Sequence, residues 1–434
     1  MQQTLRRVAV IGGVRIPFCR SSTLYADQSN LAMLTATLNG LVDKYNLRGA
    51  HIDEAIGGAV VTHSKDWNLA REAVLGSKLA PSTPGITLQQ ACGTSLQAAM
   101  ILQAKIASGQ IECGIAMGSD TTSDAPVVFK EKFAHRLVEA QHAKSLGQRL
   151  SAFKGFSPAE LAPQAPSVSE PRTGLSMGQH TELMAQEWHI SRAEQDRFAL
   201  ESQRKAAEAY RSGYMDDLVV PFAGVFRDNN LREDTSPDRL ASLKPAFDKS
   251  DRGTLTAANS TPLTDGAAAV LLASPAWAAS RALPVAAYLT DAQTAANNFV
   301  AGEGLLLAPT LAVSRLLERA QLSLQDFDFY EIHEAFAAQV LVTLKAFEDP
   351  AYCKNVLGRD APLGPIDRSK INVKGSSLAF GHPFAATGAR IIANLAKLLA
   401  EHGGRGLISV CTAGGMGVAA IMENLKAADL KAAA

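Results

Sequence analysis

The sequence predicts an α/β fold made of two similar halves with a segment inserted between them. Three observations carry this. Apolar runs of strand length alternate with stretches of helical periodicity along most of the chain. A unit of turn, helix and small-residue strand occurs twice, led by Cys92 in the first copy and His382 in the second. That duplication is far larger than any short repeat. Between the copies, roughly Thr121 to Phe247, the composition changes, and 155–174 is rich in proline and serine, as a loop would be. The expected domains are 1–120 (first part of the N-terminal half), 121–247 (insertion), 248–283 (completion of that half) and 284–434 (C-terminal half).

In chain order, "RRVAVIGG" reads as a buried strand and Asn30 to Tyr45 as an amphipathic helix. "IDEAIGGAVV" is a strand and "NLAREAVLGSKL" a helix. "GITLQQA" reads as a strand ending at Cys92, and Thr94 to Ser108 as a helix stopped by Gly109. "IECGIAMGSD" is a short strand of small residues. In the insertion, 129–150 has apolar residues near helical spacing. The stretch 191–213 is a helix with Ser191 as N-cap, Glu194 completing a capping box and Gly213 as the stop. "DGAAAVLLAS" suits a central strand. Pro309–Ala320 and Glu334–Phe347 read as helices, and the second copy runs from "INVKGSSLAFGHPFAATG" through a helix to the strands "LISVCTAGGMG" and "VAAIMEN".

The 42 basic residues balance 42 acidic ones, so no global field calls for nucleic acid or an anionic membrane. Five cysteines, an odd number without C-x-x-C spacing, argue against a disulfide framework or zinc ribbon and for a reducing compartment. The first 18 residues place basic residues before an apolar run, as a signal peptide does. Gly12, Gly13 and Arg15 break the run, and no cleavage site follows. No apolar stretch reaches membrane-spanning length, so a soluble cytoplasmic chain is expected.

The chemistry-bearing residues each have an ordinary structural explanation. Free cysteines are commonly core packing. Cys92 precedes a helix, however, where the dipole favours a thiolate, and Gly93 admits close approach to backbone amides. His382 beside Pro383 could be a helix cap, and Cys411 a buried strand residue. His333 and Glu334 could be an N-cap and a first-turn acid. "HEAFA" lacks the second histidine of a zinc-protease motif, and "VAVIGGVR" lacks the dinucleotide fingerprint. The 129–150 segment carries five Lys/Arg against two acids and reads as a surface helix or a contact surface.

Together these blocks resemble the thiolase family: "QQACGTS" around Cys92, "TAANSTPLTDGAA" at 256–268, "HEAFAAQ" at 333–339, "GHPFAATGAR" at 381–390 and "CTAGGMG" at 411–417, in the family's order. "HEAF", where many thiolases have "NEAF", is most similar to the β subunits of trifunctional fatty-acid-oxidation complexes. The resemblance implies a five-layer α-β-α-β-α body with an inserted loop domain. It implies thiolytic cleavage of a 3-ketoacyl-CoA by free CoA, or the reverse condensation, with coenzyme A as substrate, no tightly bound cofactor and no metal. Carried over, Cys92 is the nucleophile and its amide binds an oxyanion. His382 activates it, Cys411 moves the proton on carbon, and His333 takes the place of a water-positioning asparagine. Ser260, Thr261, Ala335 and Phe336 fall along the pantetheine tunnel. Ala413, where glycine is common, would displace a second oxyanion amide slightly, and Thr261 stands for a frequent serine. A homodimer or higher oligomer is implied, with 129–150 able to dock a hydratase/dehydrogenase α subunit. A decarboxylating synthase, which would carry histidine or asparagine at 411, and a non-catalytic acyl-CoA-binding subunit are the alternatives.

Overall fold

The computed structural model describes residues 5–164 and 167–425. The outer ends of the first and last expected domains, and two residues of the 155–174 loop, lie outside the described residues. In the first half the chain runs through β1 (Ala9–Arg15), α1 (Asn30–Lys44), β2 (Glu54–Gly58), α2 (Leu69–Leu75), β3 (Gly85–Thr87), α3 (Thr94–Ala107) and β4 (Cys113–Asp120). The inserted segment carries α4 (Glu131–His142), α5 (Leu146–Ser151), α6 (Met177–Glu187) and α7 (Arg192–Arg211), and β5 (Thr264–Ala273) then returns to the body. The second half contains β6 (Ala287–Ala296), α8 (Ala308–Ala320), β7 (Phe329–Ile332), α9 (Ala337–Glu348), α10 (Thr387–His402), β8 (Gly404–Thr412) and β9 (Met416–Asn424).

The strands make the duplication explicit. In the first half the order is β3-β2-β4-β5-β1, with β2 parallel to β3 and β4 and the remaining pairs antiparallel. In the second it is β7-β8-β9-β6, one parallel pair followed, as in the first half, by two antiparallel ones. A parallel bridge from Tyr330 to Ile371 stands where β3 pairs with β2 in the first half. The halves join where Ala9 and Val10 of β1 pair with Tyr288 and Ala287 of β6.

The apolar faces sort into slabs that give five layers. Met33 and Leu38 of α1 pack with Ile115 and Leu271 on one face of the first half. Val313 and Leu316 of α8 and Val340 of α9 pack with Ile421 on the far face of the second. Between the sheets, Leu96 and Leu102 of α3 meet Ile392 and Leu395 of α10, with Val270 and Val418 from the two sides. The two central helices approach closely because Gly388 has no side chain. A Cβ there would fall 2.4 Å from the Leu96 amide nitrogen.

Three expectations shift in detail. β3 ends at Thr87 rather than at Cys92, because the chain turns at Ala91, whose φ is +46°. The 129–150 stretch is two helices, broken where Ser145 caps α5. The helix expected from Glu334 begins at Ala337, because the carboxylate of Glu334 is taken up by Ser202, Asn372 and the Leu378 amide. The expected capping box of α7 is present, with Ser191 and Glu194 bonded reciprocally.

Candidate active site

The turn before α3 is held by one side chain. Thr94 Oγ1 accepts from the Gln90 amide at 2.9 Å and donates to the Ala91 carbonyl at 2.7 Å. This keeps Ala91 in the left-handed region, a cost of about 1 kcal/mol for a residue with a Cβ. The strained turn delivers Cys92 to the junction of the halves. Gly93 must be small there, since a Cβ would lie 2.9 Å from Val418 Cγ2 of β9.

Three elements of the second half converge on that sulfur. His382, after Gly381 (φ +100°), sets Nε2 3.0 Å from Cys92 Sγ. Its Nδ1 lies 2.6 Å from Thr387 Oγ1. The Thr387 hydroxyl has the Pro383 carbonyl, at 3.4 Å, to donate to, so it accepts the Nδ1 proton. His382 therefore turns a lone pair toward the thiol. His333, at the end of β7, stacks beside it with ring centroids 4.1 Å apart and Nδ1 2.9 Å from Ser377 Oγ. The Nε2 of His333 is buried without a protein partner. Cys411, on β8, is buried among the apolar residues Leu305, Ala335, Phe336 and Leu341. The amides of Ala413 and of Cys92 itself face the Cys92 sulfur and draw its thiol pKa down.

The resting charge state differs from a simple helix-dipole expectation. Burial pushes the Cys92 thiol up to about 12, against the pull of the two amides. Burial also holds His382 down to about 3, with the Arg390 cation adding to the effect. The pair is thus a thiol and a neutral imidazole, not a thiolate and an imidazolium. Cys411 is also raised well above an ordinary thiol, by burial and then by any charge on Cys92, so it rests as a thiol. A neutral base 3.0 Å from a thiol can take its proton as sulfur attacks a carbonyl, and a second protonated thiol can supply one to carbon. Donor atoms of Cys92, His333 and His382 all lie within 4.8 Å, a set that could also ligate a soft cation.

The remaining expected residues form one neighbouring patch. Ser260 bridges Phe336 in the backbone, and its hydroxyl is buried without a partner. Thr261 donates from both its amide and its Oγ1 to the Ala335 carbonyl, each at 3.0 Å. Phe336 packs edge-on against Phe247 from the far end of the insertion. Several supporting residues were not singled out in the sequence. Thr387 and Arg390 stand inside "GHPFAATGAR", and Ser377 just before it, so a search for partners of the two histidines could have reached them. Asp120 accepts from the Ala385 amide at 2.7 Å, and Glu170 of the insertion from the Gly414 amide at 2.8 Å. Neither acid sits in a pattern that marks it.

Comparison with known proteins gives a consistent result. The N-terminal domain of thiolase matches residues 8–276 and the C-terminal domain residues 270–424. A 3-ketoacyl-CoA thiolase of Shewanella sp. (strain W3-18-1) is 41% identical over 424 residues, covering 96% of this chain and 97% of that protein. Among solved structures, an acetyl-CoA acetyltransferase of Bacillus anthracis superposes with a TM-score of 0.81 at 28% identity, covering 97% of this chain and all of that one. The Acat5 thiolase of Ascaris suum in complex with coenzyme A shares the fold, with a TM-score of 0.80 at 24% identity over 97% of this chain and 100% of that chain.

Proposed function

This chain belongs to the thiolase family, and from that premise we propose that it cleaves a 3-ketoacyl-CoA with free CoA, giving acetyl-CoA and an acyl-CoA shortened by two carbons. It is an acyltransferase. The observation that carries the reading is the Cys92–His382 contact of 3.0 Å at the junction of the two halves.

Cys92 sulfur adds to the 3-keto carbon while His382 Nε2 takes its proton. The oxyanion that forms is bound by the amides of Cys92 and Ala413. As it collapses, the C2–C3 bond breaks, and the electron pair left on C2 takes the Cys411 proton, releasing acetyl-CoA. During that step the thioester oxygen faces the newly protonated His382 and the Nε2 edge of His333. The incoming CoA thiol passes its proton to the Cys411 thiolate and attacks the acyl-Cys92 carbonyl. Cys92 departs and recovers the proton held by His382. The pantetheine arm is taken to run past Ser260, Thr261, Ala335 and Phe336, and the unpartnered Ser260 hydroxyl supports this.

Incubation with acetyl-CoA should leave acetate on the Cys92 peptide, read by mass spectrometry, and Cys92→Ala should lose thiolysis of acetoacetyl-CoA. An active enzyme whose Cys92 carries no acetate, or a Cys92→Ala variant at full rate, overturns the reading. The same assay over short, medium and long 3-ketoacyl-CoAs gives the chain length.

The chain is proposed to act as a homodimer or larger assembly in the cytoplasm, and α4–α5 to dock a hydratase/dehydrogenase chain of the trifunctional type. Phe129, Leu137, Leu146 and Leu150 are exposed there among basic residues, which supports a contact surface. Reversal of Lys130, Lys132 and Arg149 to glutamate should abolish co-purification with that chain; unchanged co-purification ends the docking proposal.

A further inference from the structure

We infer that Ser377, fed by Arg390, is a positioning residue that holds His333 as its Nε2–H tautomer, opposite to that of His382. Ser377 Oγ has two polar neighbours among the described residues: Arg390 Nη2 at 2.8 Å and His333 Nδ1 at 2.9 Å. Arg390 can only donate. The serine hydrogen therefore has one acceptor, His333 Nδ1, and pointing it there satisfies all three groups. Nδ1 then carries no proton, and the ring hydrogen sits on Nε2, the atom that is buried without a partner beside Cys92 and His382.

Thr387 does the reverse for His382. Its hydroxyl has the Pro383 carbonyl to donate to and so accepts from Nδ1. Two imidazoles with centroids 4.1 Å apart are thus set as a base and a donor by two hydroxyls, one with a carbonyl behind it and one with a guanidinium. Arg390 is itself fixed by a second bond to Ser376 Oγ at 3.1 Å and by Glu331 at 3.8 Å. The consequence is that His333 donates directly to the thioester oxygen rather than holding a water for it. This rests on the thiolase reading above, in which that oxygen faces His333.

The test measures thiolysis kinetics for Ser377→Ala and Ser377→Thr, each in the wild-type and the His333→Ala background. It is joined to ¹⁵N spectra of histidine-labelled enzyme, in which His333 is assigned by its loss in His333→Ala. Ser377→Ala is expected to lower kcat by roughly 10- to 100-fold with KM changed less than about threefold, the size expected for misdirecting one oxyanion donor. Threonine should restore most of the rate. In the His333→Ala background the serine should matter by less than about threefold. The wild-type Nε2 should show the shift of a protonated nitrogen, and lose it in Ser377→Ala. A loss from Ser377→Ala that is equal in both backgrounds would mean a structural role and overturn the inference. So would an Nε2 without its proton in the wild type, or an undiminished kcat in Ser377→Ala while His333→Ala is impaired. A His333→Ala enzyme at full rate would instead remove the donor role of His333 in the thiolase reading, and the tautomer would have no catalytic consequence.

Discussion

The turn before α3 and the turn before α10 occupy matching places in the two halves, and each reaches across to the end of a strand in the other. From the second half, the Ala385 amide donates to Asp120 at the end of β4. From the first half, Cys92 turns its sulfur toward the Ala413 amide, just beyond the end of β8. In the first tie the partner is a resident side chain: the Asp120 carboxyl also accepts from the amides of Val60, at 2.9 Å, and Val61, at 2.8 Å. In the second, the amides meet a neutral thiol, and their donor strength is left for an anion that exists only during the reaction. The duplication therefore supplies two nests of backbone donors of similar origin. One is closed by a side chain and serves the fold, and the other is left open for the substrate of the proposed reaction. The chemistry is correspondingly lopsided, with one reactive residue from the first half and His333, His382 and Cys411 from the second.

That lopsidedness can be cut at its carbon-acid end. Cys411→Ala leaves Cys92 and His382 in place, so acetyl-CoA should still acetylate Cys92, though more slowly, because the departing CoA sulfur loses the proton that Cys411 returns to it. Cleavage of acetoacetyl-CoA needs a proton at C2, and its kcat should fall by roughly 10²- to 10⁴-fold, the range for losing a general acid. Single-turnover acetylation beside steady-state thiolysis reads both. A variant that loses acetylation to the same extent as cleavage would place the main role of Cys411 at the CoA sulfur instead of at C2.

The comparison of halves also explains what the sequence could and could not disclose. Each strand and helix of the body is short-range information: the alanine-rich β5, the periodic α3 and α10 and the capping box of α7 announce themselves. The reactive residues are legible because they stand in glycine-rich turns with few alternative uses. Their charge states are not, since burial sets them. The dipole argument pointed to a thiolate at Cys92, whereas desolvation keeps it a thiol. The support of the site is invisible for a different reason. Asp120 touches Ala385, Glu170 touches Gly414, and Ser377 touches Arg390 across folds of the chain that no local pattern encodes. Ala91 is similar, because a left-handed alanine is dictated by the crossing of β3 into α3, not by its own preference.

The two ties should also titrate in opposite senses, which sharpens the comparison with the smallest expected effect. Burial raises Asp120 from an ordinary carboxylate to about 7, outweighing its amide partners. The folded chain keeps a proton there that the unfolded chain releases, so this group's contribution to stability falls as pH rises toward 7. His382 is held at about 3. Below about pH 6.5 the unfolded chain binds a proton that the folded chain refuses, so its contribution rises with pH over the same interval. Each slope is at most about 1.4 kcal/mol per pH unit, or about 2 kcal/mol between pH 5 and 6.5, and in the wild type they offset. Urea unfolding across that interval should therefore show the stability difference, variant minus wild type, rising with pH for Asp120→Asn and falling with pH for His382→Asn. His333, depressed for the same reason as His382, should behave like it. Slopes of the same sign for Asp120→Asn and His382→Asn would mean that the two nests share one charge state, and the division between a closed tie and an open one would fail.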